Sequence, residues 1–414
     1  MDNQFVFDSK MKMTFITMMV VGIVCLAWTF VGDSQPGHVR FWSNFLHNSV
    51  FFTGTAAMGM FALSAFIVAQ AGWFSVIKRI FEAYTLFMGV GIVLMLIVAA
   101  GVWGHAHHLY HWMDESALDP NNPAYDKILA GKAPFLNKGV YTFGAIGALA
   151  VWYFLARKIR SLSLDEDQNG NDSFTQHKSM RVYSAIFLPI AAFTIPMAVW
   201  LWIMSVDAHW YSTMYAWYCM ASWFVTFASF TVLTIFFLKG RGYLQNVTQE
   251  HLHDMGKYVF AFSVFWTYLW FSQYMLIWYA NVGEETIYFA ERYEHFPVLF
   301  YANLIMNFLI PFFVLMRNDT KRKTGTLILV CTILIFSHWW DFFQMIKPGT
   351  LKTAHHDHFP EGFISGFTIP GFLEIGTFVG FLGMFLYFVF WQLSKAPLQP
   401  KEDPYMEESL HHHT

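Results

Sequence analysis

The sequence predicts an all-α polytopic membrane protein with ten transmembrane helices, on three observations. Of its 414 residues 56% are hydrophobic and only 13% are charged, with 46 Phe, 17 Trp and 19 Tyr; ordinary soluble domains carry about 25% charged residues. Ten stretches reach the roughly 20 mostly apolar residues that a hydrocarbon core about 30 Å thick demands of a helix. A short signature of Ser, His, Asp and Trp also recurs four stretches apart.

The stretches run at 12–31, 43–71, 80–103, 140–155, 182–204, 214–238, 259–280, 298–316, 324–345 and 371–391. The first follows Lys10 and Lys12 as a signal peptide would, but it lacks a small-x-small cleavage site and continues into Thr29-Phe30-Val31, so it reads as a span. Orientation follows from Lys and Arg, which cytoplasmic loops retain. Of the 25 basic residues, 18 fall on the side of the termini and 7 on the other, which puts both termini in the cytoplasm. Residues 105–138 form the longest outer piece. Residues 157–181, with the acidic and amide-rich run at 164–172, read as a solvated cytoplasmic loop. Neither is a separate domain, so residues 1–414 make one integral membrane domain.

Span five ends in Ser205-Val206-Asp207-Ala208-His209-Trp210 and span nine in Ser337-His338-Trp339-Trp340-Asp341. An offset of four preserves direction across the membrane, as parallel repeats of a four-helix bundle do. The bundles would then cover about 43–204 and 214–345, with spans 12–31 and 371–391 flanking them. Interfacial enrichment of tryptophan gives the same signature without a repeat.

Ionisable side chains in spans cost at least roughly 2.5–3.5 kcal/mol at mid-depth, so each needs a partner, a wet cavity or a function. Lys and Arg are absent from the span interiors, which leaves Glu82, Asp341 and Glu374, with Asp207 at a mouth. His338 and Asp341 stand i, i+3 on one face, a pair that relays protons, binds a quinone head group or joins two helices. Continued as helix, span three would stack His108, His111 and Trp112; His105 belongs to the same cluster. A metal site needs more ligands than this run supplies, and the same holds for His355, His356, Asp357 and His358. Glu82 pairs with Lys78 and Arg79 or serves as an inner proton entrance. On span seven Ser263, Thr267, Trp270, Tyr274, Trp278 and Asn281, with Gln273 beside them, form one wettable face. Asn303 and Asn307 on span eight and Ser222, Thr226 and Ser229 on span six match it, lining a water path or bonding helix to helix. Pro189, Pro196 and Pro311 favour kinks, and Gly376, Gly380 and Gly383 suit close helix packing, with Glu374 buried against a partner.

The net charge of −3 excludes a nucleic-acid footprint. Cys25, Cys219 and Cys331 lie in apolar runs without C-x-x-C spacing, so no disulfide, c-type haem or thiolate-held cluster is expected in this chain. Histidines gather at the span ends, which disfavours a b-type haem.

The string Trp270-Phe271-Ser272-Gln273-Tyr274-Met275-Leu276-Ile277-Trp278-Tyr279-Ala280-Asn281 with Glu284-Glu285, the Ser205–Met214 segment and the ten-span layout together resemble one family. They look like the ActF subunits of bacterial alternative complex III, a branch of the NrfD-like membrane subunits that include that of polysulfide reductase. The resemblance covers nearly the whole chain. It implies two four-helix bundles with two flanking helices, in a quinol:electron acceptor oxidoreductase of the respiratory chain in the bacterial inner membrane. Menaquinol or another quinol would be the substrate of the complex, with no cofactor held covalently by this chain. The implied partners are a sister ten-span subunit, an iron–sulfur subunit, multihaem cytochrome c subunits carrying haem c, a terminal oxidase, and lipid. His105, His108, Asp207, His209, His338 and Asp341 would form the outer half of a proton pathway and Glu82 its inner entrance. Gln273, Tyr274, Trp278 and Asn281 would line a quinone or water path. No charged residue is expected in the mid-membrane gap between the halves. A secondary transporter and a structural scaffold are the alternatives, the former weakened because Pro189 and Pro196 have no counterpart in span nine.

Overall fold

A backbone immersed in hydrocarbon must satisfy its own N–H and C=O groups, and this chain does so as helix. The computed structural model describes residues 4–170, 173–355, 358–360 and 362–413, and among them there are two isolated bridges and no strand. In chain order the helices are α1 (Ser9–Val31), α2 (Val39–Val68), α3 (Lys78–Thr85), α4 (Met88–Trp103), α5 (Lys127–Lys132), α6 (Gly147–Asn169), α7 (Thr175–Trp202) and α8 (Thr213–Gly240). They continue with α9 (Gln249–Ala280), α10 (Gly283–His295), α11 (Pro297–Leu304), α12 (Ile310–Leu315), α13 (Asn318–Arg322), α14 (Thr324–Ala354), α15 (Phe372–Leu393) and α16 (Met406–Leu410).

Nine helical stretches of the described residues are long and apolar enough to cross a membrane. The span expected at 259–280 is not among them. It lies within α9, whose 32 residues give about 48 Å at 1.5 Å per residue. Its Trp, Tyr, Ser, Thr and Gln side chains lower its hydropathy, not its reach.

α2 is central: α4, α7, α8, α14 and α15 all pack on it. α8 lies between α9 and α14, and α11 and α12 close against α14 and α9. Both termini lie at one end of the helices, called here the terminal face; there Asp8 bonds Arg241 at 2.7 Å and Asp403 bonds Lys78 at 2.7 Å. The opposite end is the distal face.

Several expectations are corrected. The segment 157–181 is mostly helix: α6 runs on to Asn169 because Arg160, Ser163 and Glu166 turn inward and are buried. Asn171 and Asp172, also assigned to that loop, lie outside the described residues, as do His356 and Asp357. Helix does not continue from Trp103 to Trp112. α4 stops at Gly104, His105 takes a left-handed conformation (φ 50°), and the chain folds back so that the His107 ring lies over Gly101. A Cβ at Gly101 would strike that ring. α14 passes its expected end at Met345 and runs to Ala354, which carries Lys347 and Pro348 inside a helix. Pro348 stands six residues before the end of α14, as Pro196 does before the end of α7, so Pro196 has a counterpart in the extended α14, while Pro189 has none. Glu374 is buried within the chain itself, against Arg40 at 2.9 Å and Asn44 at 3.0 Å.

α1 and α15 are held by absent side chains. Gly22 and Gly380 meet backbone to backbone, and Gly376 and Gly383 receive Cys25 and Met18. The expected close packing is thus between the first and last long helices. Gly380→Leu is expected to cost about 1–3 kcal/mol through overpacking, read as a lower unfolding midpoint of the detergent-solubilised protein. Gly147→Ala, where a Cβ meets nothing within 4 Å, should leave the midpoint in place.

Candidate functional site

Asp341 is the centre of the polar interior. It is the eighteenth of the 31 residues of α14 and fully buried. The carboxylate accepts from the Tyr218 hydroxyl, from Asn303 Nδ2 at 2.7 Å, from Trp266 Nε1 at 2.9 Å and from Ser222 Oγ at 3.1 Å. Four donors match the roughly four lone-pair sites of a carboxylate. They come from α8, α9 and α11, so one side chain ties three helices to α14.

Ser222 Oγ also lies 2.9 Å from His338 Nδ1. Its single hydrogen goes to Asp341, so Nδ1 of His338 must carry the proton that Ser222 accepts. His338 Nε2 is then an acceptor, buried and without a partner. The network continues away from Asp341 through Asn303 Oδ1, which accepts from Asn307 Nδ2 at 2.6 Å, and Asn307 Oδ1, which accepts from Ser337 Oγ at 2.6 Å. Asn307 sits in a π-helical stretch, Ile305–Leu309, just before Pro311. Proline has no N–H for the ordinary helical bond, and the widened turn aims Asn307 at α14.

Towards the distal face, Tyr218 is followed one turn earlier on α8 by Tyr215, their rings 6.0 Å apart, and the Tyr215 ring packs edge-on to Tyr288 of α10 at 5.9 Å. The Arg292 guanidinium lies 3.4 Å over the Tyr288 ring and donates to Asp207 at 2.7 Å. Burial works against the Arg292 charge, but the Asp207 carboxylate together with the Tyr288 and Tyr215 phenols holds the guanidinium above its ordinary value. Beyond Asp207 opens a cavity of about 270 Å³ whose lining includes His111, His209, Glu291 and Lys352. Burial lifts the Glu291 carboxyl despite its 2.5 Å pairing with Lys352.

The residues expected to act together separate into distinct places. Asp341 and His338 are interior, not at the mouth, because α14 adds nine residues beyond Met345, about 14 Å. The mid-helix region therefore does hold a carboxylate. Asp207 follows the end of α7 in a short turn, so the two halves of the repeated signature lie at different depths. His209 pairs with Asp126 ahead of α5, whose carboxyl burial would raise but the His209 bond and the Leu129 and Ile128 N–H groups lower. His105 contacts Lys138 at 3.2 Å, and His105 and His108 line a vestibule of about 550 Å³ with Asp114 and Glu115 that adjoins the cavity beyond Asp207 at His111 and Thr353. Glu82 is at the terminal face, fully buried, clamped by Arg79 at 3.1 Å, Arg160 at 2.5 Å and Ser163 at 2.6 Å.

The wettable stripe of span seven is only partly internal. Ser263 and Thr267 bond their own helix backbone. Gln273 is buried and donates to Ser212 at 2.7 Å, and Tyr274 stacks on Trp270. Trp278 is 67% exposed and Asn281 is the exposed left-handed cap of α9, so neither lines an internal path. The buried face runs through Val259, Ser263, Trp266, Trp270, Gln273 and Ile277. Trp266 and Tyr218 escaped the sequence reading; the 4-3-4-3-4 spacing of that face was the available signal for Trp266.

Trp266→Phe removes a charge-assisted bond, each of which contributes about 1.5–3 kcal/mol, and should lower the unfolding midpoint; Tyr268→Phe on the outward face should not. His107 is buried with Nε2 3.1 Å from the Val98 carbonyl, and burial drives its pKa down to about 4. An unfolded histidine titrates near 6.5, so the unfolded loop takes up the proton first and stability falls as pH drops from 6.5 to 4. Protease cleavage of the 104–113 loop should rise over that window, and His107→Gln should flatten the rise.

No protein-family model matches this chain, and a search of the curated proteins finds no match either.

Proposed function

We propose that this chain is an integral subunit of a quinol-oxidising respiratory complex of the alternative complex III type, and that its part is to carry protons between Asp341 and the distal face. In this reading α9 also crosses the membrane, as span seven, which brings the number of spans to ten; both termini are cytoplasmic, and the distal face is extracytoplasmic. The supporting observation is the position of Asp341, a carboxylate in the helix interior bonded to Tyr218, from which the packed rings of Tyr215 and Tyr288 and the Arg292–Asp207 pair lead to a cavity. Tyr218, Tyr215 and Tyr288 each offer an O–H that both donates and accepts, and with water bridging them a proton would advance by successive reorientation without a charge being left in the apolar interior. The Asp207–Arg292 pair keeps the mouth neutral. Quinol oxidation and electron transfer belong to partner subunits with iron–sulfur clusters and haem c; the resemblance, not the geometry, supplies these partners.

Two features favour the repeated four-helix arrangement. π-helical turns, well under 1% of residues in ordinary proteins, occur at Val140–Ile146 and at Ile305–Leu309, in spans four and eight. The prolines near the ends of α7 and α14 also correspond. Both of these helices run unbroken through their prolines, whereas a transporter of the repeat type builds its site from discontinuous helices. A scaffold role has its own support, since all four donors to Asp341 are direct and the group is fully buried.

Asp341→Asn and Asp207→Asn separate these readings in the purified native assembly. Proton translocation or quinol turnover should fall several-fold in each without loss of subunits. Unchanged turnover and translocation in both variants would leave the scaffold role. Recovery of the wild-type chain alone, with solute uptake and no redox partners, would overturn the respiratory reading.

A further inference from the structure

At the terminal face four carboxylates, Glu82, Glu166, Asp167 and Asp403, are gathered with three permanent cations, Lys78, Arg79 and Arg160. Glu82 and Asp167 are matched by the two arginines, with Arg79 2.5 Å from Asp167. Glu166 and Asp403 are left to share Lys78, whose ammonium is 2.7 Å from Asp403 and 3.6 Å from Glu166. Glu166 is 2% exposed, Asp403 6% and Lys78 1%. Beside them stands His177, 8% exposed, its Nδ1 3.8 Å from Glu166. Neither oxygen of Glu166 and neither nitrogen of His177 has a hydrogen-bond partner. Tyr405 packs edge-on to the imidazole at 5.4 Å, and a small cavity bordered by Ser75, Lys78, His177, Asp403 and Tyr405 opens next to it. Arg181, Lys401 and Glu402 nearby are solvent-exposed and screened.

We propose that Glu166, with His177 beside it, forms a buried proton-binding site, and that the one proton held there locks the C-terminal segment onto the helices. The charge count requires it: with three cations against four carboxylates, a bound proton is what makes the buried group neutral. The ligand atoms of Glu166, His177 and Asp403 lie within 4.8 Å of one another, a spacing that also suits a metal ion. Lys78 already occupies the cation position between the two carboxylates, so the remaining ligand is a proton. Asp403 is the group through which that proton reaches the tail. Around it the tail is fastened by Asp403 to Ser75 at 3.0 Å, Ser409 to the Val76 N–H at 3.3 Å and the Trp73 carbonyl at 2.7 Å, and His412 to Asp254 at 2.6 Å. Loss of the proton leaves Glu166 and Asp403 both charged on a single ammonium, in a site too dry to screen their repulsion. The tail is the mobile partner and lets go. This does not depend on the role of Asp341.

The test is hydrogen exchange of residues 400–412 in the full chain in lipid nanodiscs at pH 6 and pH 9, normalised to intrinsic rates. Wild type should lose protection at least tenfold at pH 9. Glu166→Gln, which cannot ionise, should keep its pH 6 protection at pH 9. Asp403→Asn, which removes the repelled group, should be less protected at both values but equally so. Equal protection of the wild type at pH 6 and 9, or an unaltered pH dependence in either variant, overturns the proposal. Loss of protection on adding EDTA at pH 6 would also overturn it, in favour of a divalent cation.

Discussion

The four-donor clamp on Asp341 is the constraint around which the interior is arranged. Tryptophan N–H can only donate, an amide NH₂ must donate, and a buried phenol or serine hydroxyl needs an acceptor, so a carboxylate is the one side chain able to meet all four at once. Each partner brings a helix with it: Trp266 sets the rotation of α9, Asn303 that of α11, and Tyr218 and Ser222 that of α8. The composition of α9 follows, since a helix that must present Trp266, Trp270 and Gln273 inward cannot be uniformly aliphatic. Hydrophobic packing alone gives little direction between helices in lipid, where tails are as apolar as leucine. Directed bonds to one charge-bearing group fix rotation as well as contact.

The rest of the charge is kept at the two ends. Glu82 with Arg79 and Arg160 holds the terminal face, while Arg40 with Glu374 and Arg292 with Asp207 hold the distal one. Lys347 lies at the distal end of α14, fully buried, bonded to Ser43 at 2.8 Å and seated 4.7 Å over the Phe367 ring. These clusters pair charges taken out of water, and removing one partner would strand the other at a cost of about 3–5 kcal/mol. They close the bundle where spans meet headgroups and loops. Asp341 differs from them because its partners are neutral dipoles, so its charge is spread rather than cancelled.

The apolar stretches were legible because twenty residues without charge mean one thing in a bilayer. Most boundaries follow from them, and so does the glycine seam, since Gly376, Gly380 and Gly383 announce a close neighbour. What misled was polarity at helix ends. Glu166 and Arg160 look like a loop and are helix, because each turns inward onto groups far away in sequence, Glu166 beside Lys78 and Arg160 onto Glu82. Lys347 and Pro348 look like an exit from the membrane and are interior, because Ser43 and Phe367 receive them. Asp341 stood out as a carboxylate in an apolar span, and Ser222 and Asn303 as polar faces, but the bonds that join them were not legible. His105 and His108 were grouped with Asp341 through the family resemblance, and His108 with His111 and Trp112 through a continued helix 103–112, which ends at Gly104 instead. Pairings across hundreds of residues carry no local periodicity, and that is where sequence reasoning stopped.

The Gly22–Gly380 seam has a bearing on biogenesis. The docking partner of α1 is encoded roughly 340 residues downstream, which at about 5–20 residues per second means roughly 20–70 s of ribosome time. Throughout that interval the first helix must wait in lipid beside the translocon, with its glycine groove open to acyl chains. Seating it is therefore among the closing events of assembly, and the arrival of α15 is the timer.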